Sequence, residues 1–250
     1  MSTASIRGAV RGMSQRANPA FAAGAIAVPV GALAYALTVA PVVHHIYVHV
    51  MAGVLWTGID LFMALVLGPV LGGLPVEERA SVFQRFTPKM TFLMPSLALV
   101  TIVGGVTLAE RLGVFPHSQP WIALLTLATT VPALLLIGWQ FDAFDDPRWL
   151  AAFAVSLLGG GAYLAVTANA LGMPSVTILL ALAIVTVLSV VGFGVLLPGE
   201  VRIYRQLASG DPDPTVISRI GMRNARLSGL QGLFQLTIVV VMVYLRWPAA

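Results

Sequence analysis

Long runs of apolar residues, separated by short polar segments, dominate this sequence. Seven runs come close to or exceed the length of about 20 residues that a helix needs to cross the hydrocarbon core of a bilayer. They lie at about residues 21–40, 46–71, 90–108, 121–139, 150–168, 176–197 and 230–245. The runs are continuously apolar, whereas the shorter strands of a membrane β-barrel alternate in polarity. Because a backbone in lipid must satisfy its own hydrogen bonds, the pattern predicts an all-α polytopic bundle of seven transmembrane helices.

The basic residues indicate how these helices are oriented, since Lys and Arg concentrate in the cytoplasmic loops of membrane proteins. With the N-terminus inside, only Arg111 and Arg246 fall on the outer side. The residues on the inner side are Arg7, Arg11, Arg16, Arg79, Arg85, Lys89, Arg148, Arg202, Arg205, Arg219, Arg223 and Arg226. The sequence therefore predicts a multi-pass protein of the inner (plasma) membrane with an inside N-terminus and an outside C-terminus.

The first 20 residues are read as a cytoplasmic basic tail, and residues 21–247 as a single transmembrane domain. The tail contains Arg7, Arg11 and Arg16 and no acidic residue. A mitochondrial-type presequence has the same composition and is the alternative interpretation.

A constant offset of 134 residues relates the second and third predicted helices to the sixth and seventh. The aligned pairs are Gly58 with Gly192, Ser81 with Thr215, Arg85 with Arg219 and Lys89 with Arg223. Two units of the same orientation, at about 46–108 and 180–245, would form a parallel internal repeat, an arrangement that occurs in membrane folds.

Composition narrows the function classes. Charged residues make up 10% of the chain and hydrophobic residues 58%, against about 25% charged residues in an ordinary soluble domain. The absence of cysteine excludes disulfides and thiolate metal sites. Because the basic residues lie between apolar runs and not on one soluble face, no nucleic-acid partner is predicted. The predicted partner is the lipid bilayer.

Chemically capable residues concentrate on the second predicted helix. His49 lies about one turn inside the span, and ionisable residues within spans are energetically costly and usually functional. At 100° per residue, His49, Trp56 and Asp60 project within about 40° of one another. Gly58, on the same helix, would let a neighbour or a cofactor approach closely. One helix face thus carries an imidazole and a carboxylate.

Imidazole nitrogen is a good ligand for copper and for haem iron. His49 is the first candidate metal ligand, and His45, which shares its helix face, and His117 are secondary candidates near the outer side. His49 and Asp60 are separated by about 16 Å along the helix axis, so they cannot bind the same ion. Asp60 is either a structural acid paired with Arg85 or Arg219, or part of a proton or cation relay.

The stretch from His49 to Gly58 reads HVMAGVLWTG, which is H-x6-W-x-G. It resembles the start of the first family helix of the CopD-like membrane superfamily, which includes copper-resistance D proteins and, more distantly, HemJ-type protoporphyrinogen oxidases. The pair Arg85-Phe86, followed by the apolar run from Leu97 to Gly105, and the C-terminal run that begins at Arg226 look similar to other parts of these chains. The resemblance implies that His49 ligates haem b or handles copper. A bis-histidine haem would need His117 or another second ligand.

Three hypotheses follow. The first is a membrane protein that binds a redox-active centre, haem b or copper, through His49, in electron transfer or copper handling. Such a protein could be a membrane oxidoreductase, with a quinone or a redox protein as partner. Its cofactor-binding residues would be His49, Trp56, Gly58, Asp60, Arg85 and Arg219.

The second hypothesis is a transporter or ion-handling protein that uses Asp60 and His49. The third is an accessory subunit of a respiratory complex, and either a homo- or a hetero-oligomer is compatible with all three.

Overall fold

The computed structural model describes residues 6–246, and across this range every regular element is helical. We number eight helices in chain order. They are α1 Ile6–Ala17, α2 Pro19–Thr38, α3 Val42–Gly72, α4 Val76–Arg111, α5 Ser118–Phe141, α6 Pro147–Ala170, α7 Val176–Ala208 and α8 Pro214–Arg246. Helices α2 to α8 are each long and apolar enough to cross a membrane. Within this range, the predicted all-α class and the seven transmembrane helices are confirmed.

Three helices are much longer than the predicted apolar runs. Helix α4 has 36 residues and is about 54 Å long, whereas a hydrocarbon core is about 30 Å thick. Helix α7 continues to Ala208, beyond the predicted end near residue 197, and α8 begins at Pro214, ahead of the predicted start near 230. The predicted basic loops are therefore largely helical. Polar residues end an apolar run without ending a helix, because they do not interrupt the backbone hydrogen bonds.

Two π turns interrupt the long helices, and each ends two residues before a proline. In α3 the turn spans Met63–Leu67, and the N–H of Gly68 donates to the carbonyl of Met63. In α7 it spans Gly192–Leu196, and the N–H of Leu197 donates to the carbonyl of Gly192. Pro69 and Pro198 follow, and neither can donate the hydrogen bond that a regular α-helix requires.

The two π turns bear on the register of the predicted repeat. At the offset of that repeat, Pro69 aligns with Ile203 and not with Pro198. The two π turns would align with each other only if an insertion or deletion separated them from the residue pairs that define the repeat. The repeat and the orientation in the membrane stay predictions.

The chain divides into two compact units. The first consists of Met1–Gly105 with Gly199–Leu230, and the second of Val106–Pro198 with Gln231–Ala250. Residues 1–5 of the predicted basic tail and Trp247, at the end of the predicted transmembrane domain, lie outside the described residues. The candidate site described below lies within the first unit.

The first unit has an apolar core built from the extended ends of its helices. Its buried members come from α3, α4, α7 and α8, and they are Leu71, Ala80, Phe83, Ile203, Leu207, Ile217 and Ile220. The ring of Phe83 lies directly against the backbone of Gly221, where any side chain would clash with it. This packing explains why α4, α7 and α8 continue as helices beyond their most apolar stretches.

Residues of the predicted basic tail also fold and pack. Helix α1 buries Met13 and Ala17. The Arg16 guanidinium donates to the carbonyl of Leu207 at 2.8 Å, and Gly12 lies against the ring of Tyr204. The basic segment is thus an ordered helix held against the end of α7.

Candidate metal-binding site

Helix α3 turns a mixed apolar and polar face to the protein interior. Ala52, Trp56 and Asp60 are buried on it, one turn or two apart, and His45 lies further toward the N-terminal end. His49, at the same helical spacing, is half-buried. The face expected from the sequence is therefore the face that packs inward.

The His49 imidazole is held by the backbone of α4. Its Nδ1 lies 2.9 Å from the carbonyl oxygen of Thr101. A carbonyl can only accept, so Nδ1 carries the proton and donates it. In the neutral ring this leaves the lone pair on Nε2, which is the atom that a metal would bind.

Two successive glycines of α4 lie beside His49, and one of them makes room for the ring. A Cβ at Gly105 would lie 2.7 Å from Cε1 of His49, too close for any side chain at that position. At Gly104, a Cβ would meet the Cβ of His49 at 3.7 Å and Leu33 at 3.6 Å, which are ordinary contacts. The His49 ring therefore requires glycine at residue 105 but not at residue 104.

His45 is the more deeply placed of the two imidazoles. It is 1% exposed, and its Nε2 donates to the carbonyl of Gly104 at 3.0 Å. Two histidines one turn apart thus bind successive turns of α4. His44, by contrast, is exposed and shares a hydrogen bond of 2.8 Å with the hydroxyl of Tyr35.

The remaining predicted site residues fall in different surroundings. Asp60 is fully buried, with 0% exposure, and Trp56 is nearly so. Gly58 is exposed, and nothing in the described chain comes within 4 Å of the place a Cβ would take. Arg85 and Arg219 both have exposed side chains. The side chains of both arginines are thus exposed, whereas the carboxylate of Asp60 is buried.

His117 lies in the second unit, just ahead of α5. Its backbone is left-handed, with φ 55°, and its exposed ring packs on Gly172. Among residues 6–246, no three His, Asp or Glu side chains are close enough to hold one metal ion. A single metal ion would therefore find at most two such side-chain ligands within residues 6–246.

Glu200 is a polar residue that the apolar pattern does not single out, because it lies beyond the predicted end of the sixth apolar run near residue 197. Its Oε1 accepts from Nδ2 of Asn224 at 2.9 Å. Part of the side chain is accessible, but Oε2 is buried and has no hydrogen-bond partner among the described residues. The sequence does hold a signal that α7 continues past Pro198, because apolar residues recur there at helical spacing. They are Val201, Tyr204 and Leu207.

Comparison with known proteins found no match to any family model, to any curated protein or to any solved structure.

Proposed function

We propose that this is an integral membrane protein that binds a redox-active metal centre, haem b or copper, through Nε2 of His49. The observation that carries the proposal is the hydrogen bond from Nδ1 of His49 to the carbonyl of Thr101. Metal-ligating histidines almost always donate their other ring N–H in this way, which fixes the tautomer and the direction of the ring. The bond therefore prepares His49 as a ligand.

A haem is the simpler fit to this site. The porphyrin would supply four nitrogen ligands, so His49 alone could hold the cofactor through Nε2. Copper would need further donors close to His49. Either centre, when bound, supplies one-electron chemistry, and the chain contributes the oriented ligand. A quinone or a redox protein is the partner class that fits such a centre in a membrane.

The absorbance spectrum of the purified protein tests the proposal. After expression with added haem and copper, wild-type protein should show a Soret band or should contain bound copper by elemental analysis. His49→Ala should lose that signal. His44→Ala is the matched control and should keep it, because His44 is exposed and bonds to Tyr35.

Two results would overturn the proposal. One is wild-type protein, folded and supplied with both cofactors, that binds neither. The other is a cofactor signal that survives His49→Ala unchanged. Copper without a Soret band would assign the site to copper handling.

A second function is favoured by the burial of Asp60. An ionisable residue enclosed within a membrane helix is a functional candidate in its own right, and Asp60 has 0% exposure. We therefore propose ion handling through Asp60 and His49 as the alternative function. In proteoliposomes, wild-type protein would dissipate an imposed proton or sodium gradient and Asp60→Asn would not. Equal rates in wild type, the variant and empty liposomes would reject this alternative.

A further inference from the structure

Four arginines of α7 and α8 converge on one cavity in the first unit. The cavity has a volume of about 530 Å³. Its lining residues are Arg202, Arg205, Gln206, Val216, Arg219, Ile220 and Arg223. No carboxylate is among them, so the wall carries four positive charges and no negative one.

Glu200 and Asp213, two acids close to these arginines in the sequence, accept hydrogen bonds from other groups. Glu200 is not part of the lining, and its Oε1 accepts from Nδ2 of Asn224. Asp213 accepts from the backbone N–H groups of Thr215 and Val216, where it caps the start of α8. Neither carboxylate therefore lines the cavity as a counter-charge.

Arg223 has a buried donor, its Nε, that lacks an acceptor among the described residues. Its guanidinium donates to Oδ1 of Asn224 over a long distance of 3.4 Å. Arg202 lies close enough to repel it. A buried donor without an acceptor costs free energy, and a bound anion would remove both this cost and the repulsion.

The apolar side of the cavity is continuous with the core. Ile220 belongs to the buried core cluster, and Val216 packs against the same cluster. The cavity also lies where α7 and α8 extend beyond their most apolar stretches, next to the expected membrane surface. Guanidinium groups bind phosphate through paired hydrogen bonds, and basic pockets between membrane helices take anionic headgroups.

We propose that this cavity is a binding site for a phosphate-bearing anion with at least two negative charges. The charge of the four arginines and the size of the cavity favour two linked phosphates over one. The same chemistry is offered by a lipid headgroup with two phosphodiesters and by a soluble diphosphate. This inference is independent of a cofactor at His49.

The test compares two probes on purified protein. One arm places the protein in nanodiscs of phosphatidylcholine with or without cardiolipin, and the other adds pyrophosphate to detergent-solubilised protein at constant ionic strength. Thermal unfolding is followed by tryptophan fluorescence, and binding is titrated. Either probe should raise the melting temperature, since a ligand that binds only the folded state stabilises it. A response to cardiolipin alone identifies a lipid site, and a response to pyrophosphate alone identifies a soluble ligand.

The variant Arg205→Gln/Arg219→Gln should weaken binding at least about tenfold, because each lost charged hydrogen bond is worth more than a factor of ten. Both side chains are exposed, so folding should be preserved. Arg11→Gln/Arg226→Gln removes the same charge from exposed residues outside the cavity and should bind as wild type does. Should the double variant not fold, Arg219→Gln alone serves in its place. No response to either probe, or an equal loss in the control, would overturn the proposal.

Discussion

The imidazole of His49 and the backbone of Gly105 form the tightest requirement in the candidate site. The ring lies where a side chain on residue 105 would have to be, and Nδ1 is bonded to Thr101 one turn earlier on α4. Glycine at this position is thus a packing requirement of the histidine. Neither residue alone would reveal it.

A pair of glycine variants tests this requirement. Gly105→Ala should displace the ring, break its bond to Thr101 and reduce cofactor binding, because the new Cβ would lie 2.7 Å from Cε1 of His49. Gly104→Ala is the control, since its Cβ would make contacts of 3.6 Å or longer. The measurement is cofactor content per protein in both variants. Equal cofactor content would show that the ring is free to move.

Gly221 has an equivalent role in the core of the first unit. Gly221→Ala would drive a Cβ into the ring of Phe83, which is 2% exposed and enclosed by the apolar cluster. Overpacking of this kind costs about 1–3 kcal/mol. Gly24→Ala meets nothing within 4 Å and should leave stability nearly unchanged. Thermal unfolding of both variants in the same detergent checks the difference, and matching midpoints would contradict it.

At the scale of helices, the extended ends of α7 and α8 carry the polar residues discussed above that do not lie on the inward face of α3. Glu200 and the four arginines of the cavity lie on segments that the apolar pattern alone predicts as loop. Hydropathy detects the part of a helix that is in lipid. It does not detect where the helix ends, because that depends on what its next turns pack against.

The bond between Glu200 and Asn224 joins α7 to α8 and can be tested by shape-matched changes. Glu200→Leu removes the hydrogen bond that Nδ2 of Asn224 donates to the side chain, and the loss of such a bond costs about 0.5–1.5 kcal/mol. Glu200→Gln keeps a side-chain carbonyl in the same place and should lose less. Thermal unfolding of the two variants is the measurement. A Gln variant as unstable as the Leu variant would mean that the charge, and not the hydrogen bond, matters.

At the scale of the whole molecule, the orientation in the membrane is the main prediction still to be tested. The chain has no cysteine, so single cysteines can report which side each loop occupies. Ser209→Cys, between α7 and α8, should be protected from an impermeant maleimide in intact cells. Asn169→Cys, at the end of α6, should be labelled. Both residues are exposed, and the reverse pattern would invert the proposed topology.

The sequence by itself determined the class of this protein and the number of its membrane helices. Both follow from the length and polarity of contiguous runs, which the bilayer thickness converts directly into spans. It also indicated that His49, Trp56 and Asp60 share a face, because helical periodicity is a local property. The tautomer of His49 required the position of Thr101, 52 residues away. The convergence of the arginines required the packing of α7 against α8. Such contacts join distant segments, so only the tertiary structure could decide them.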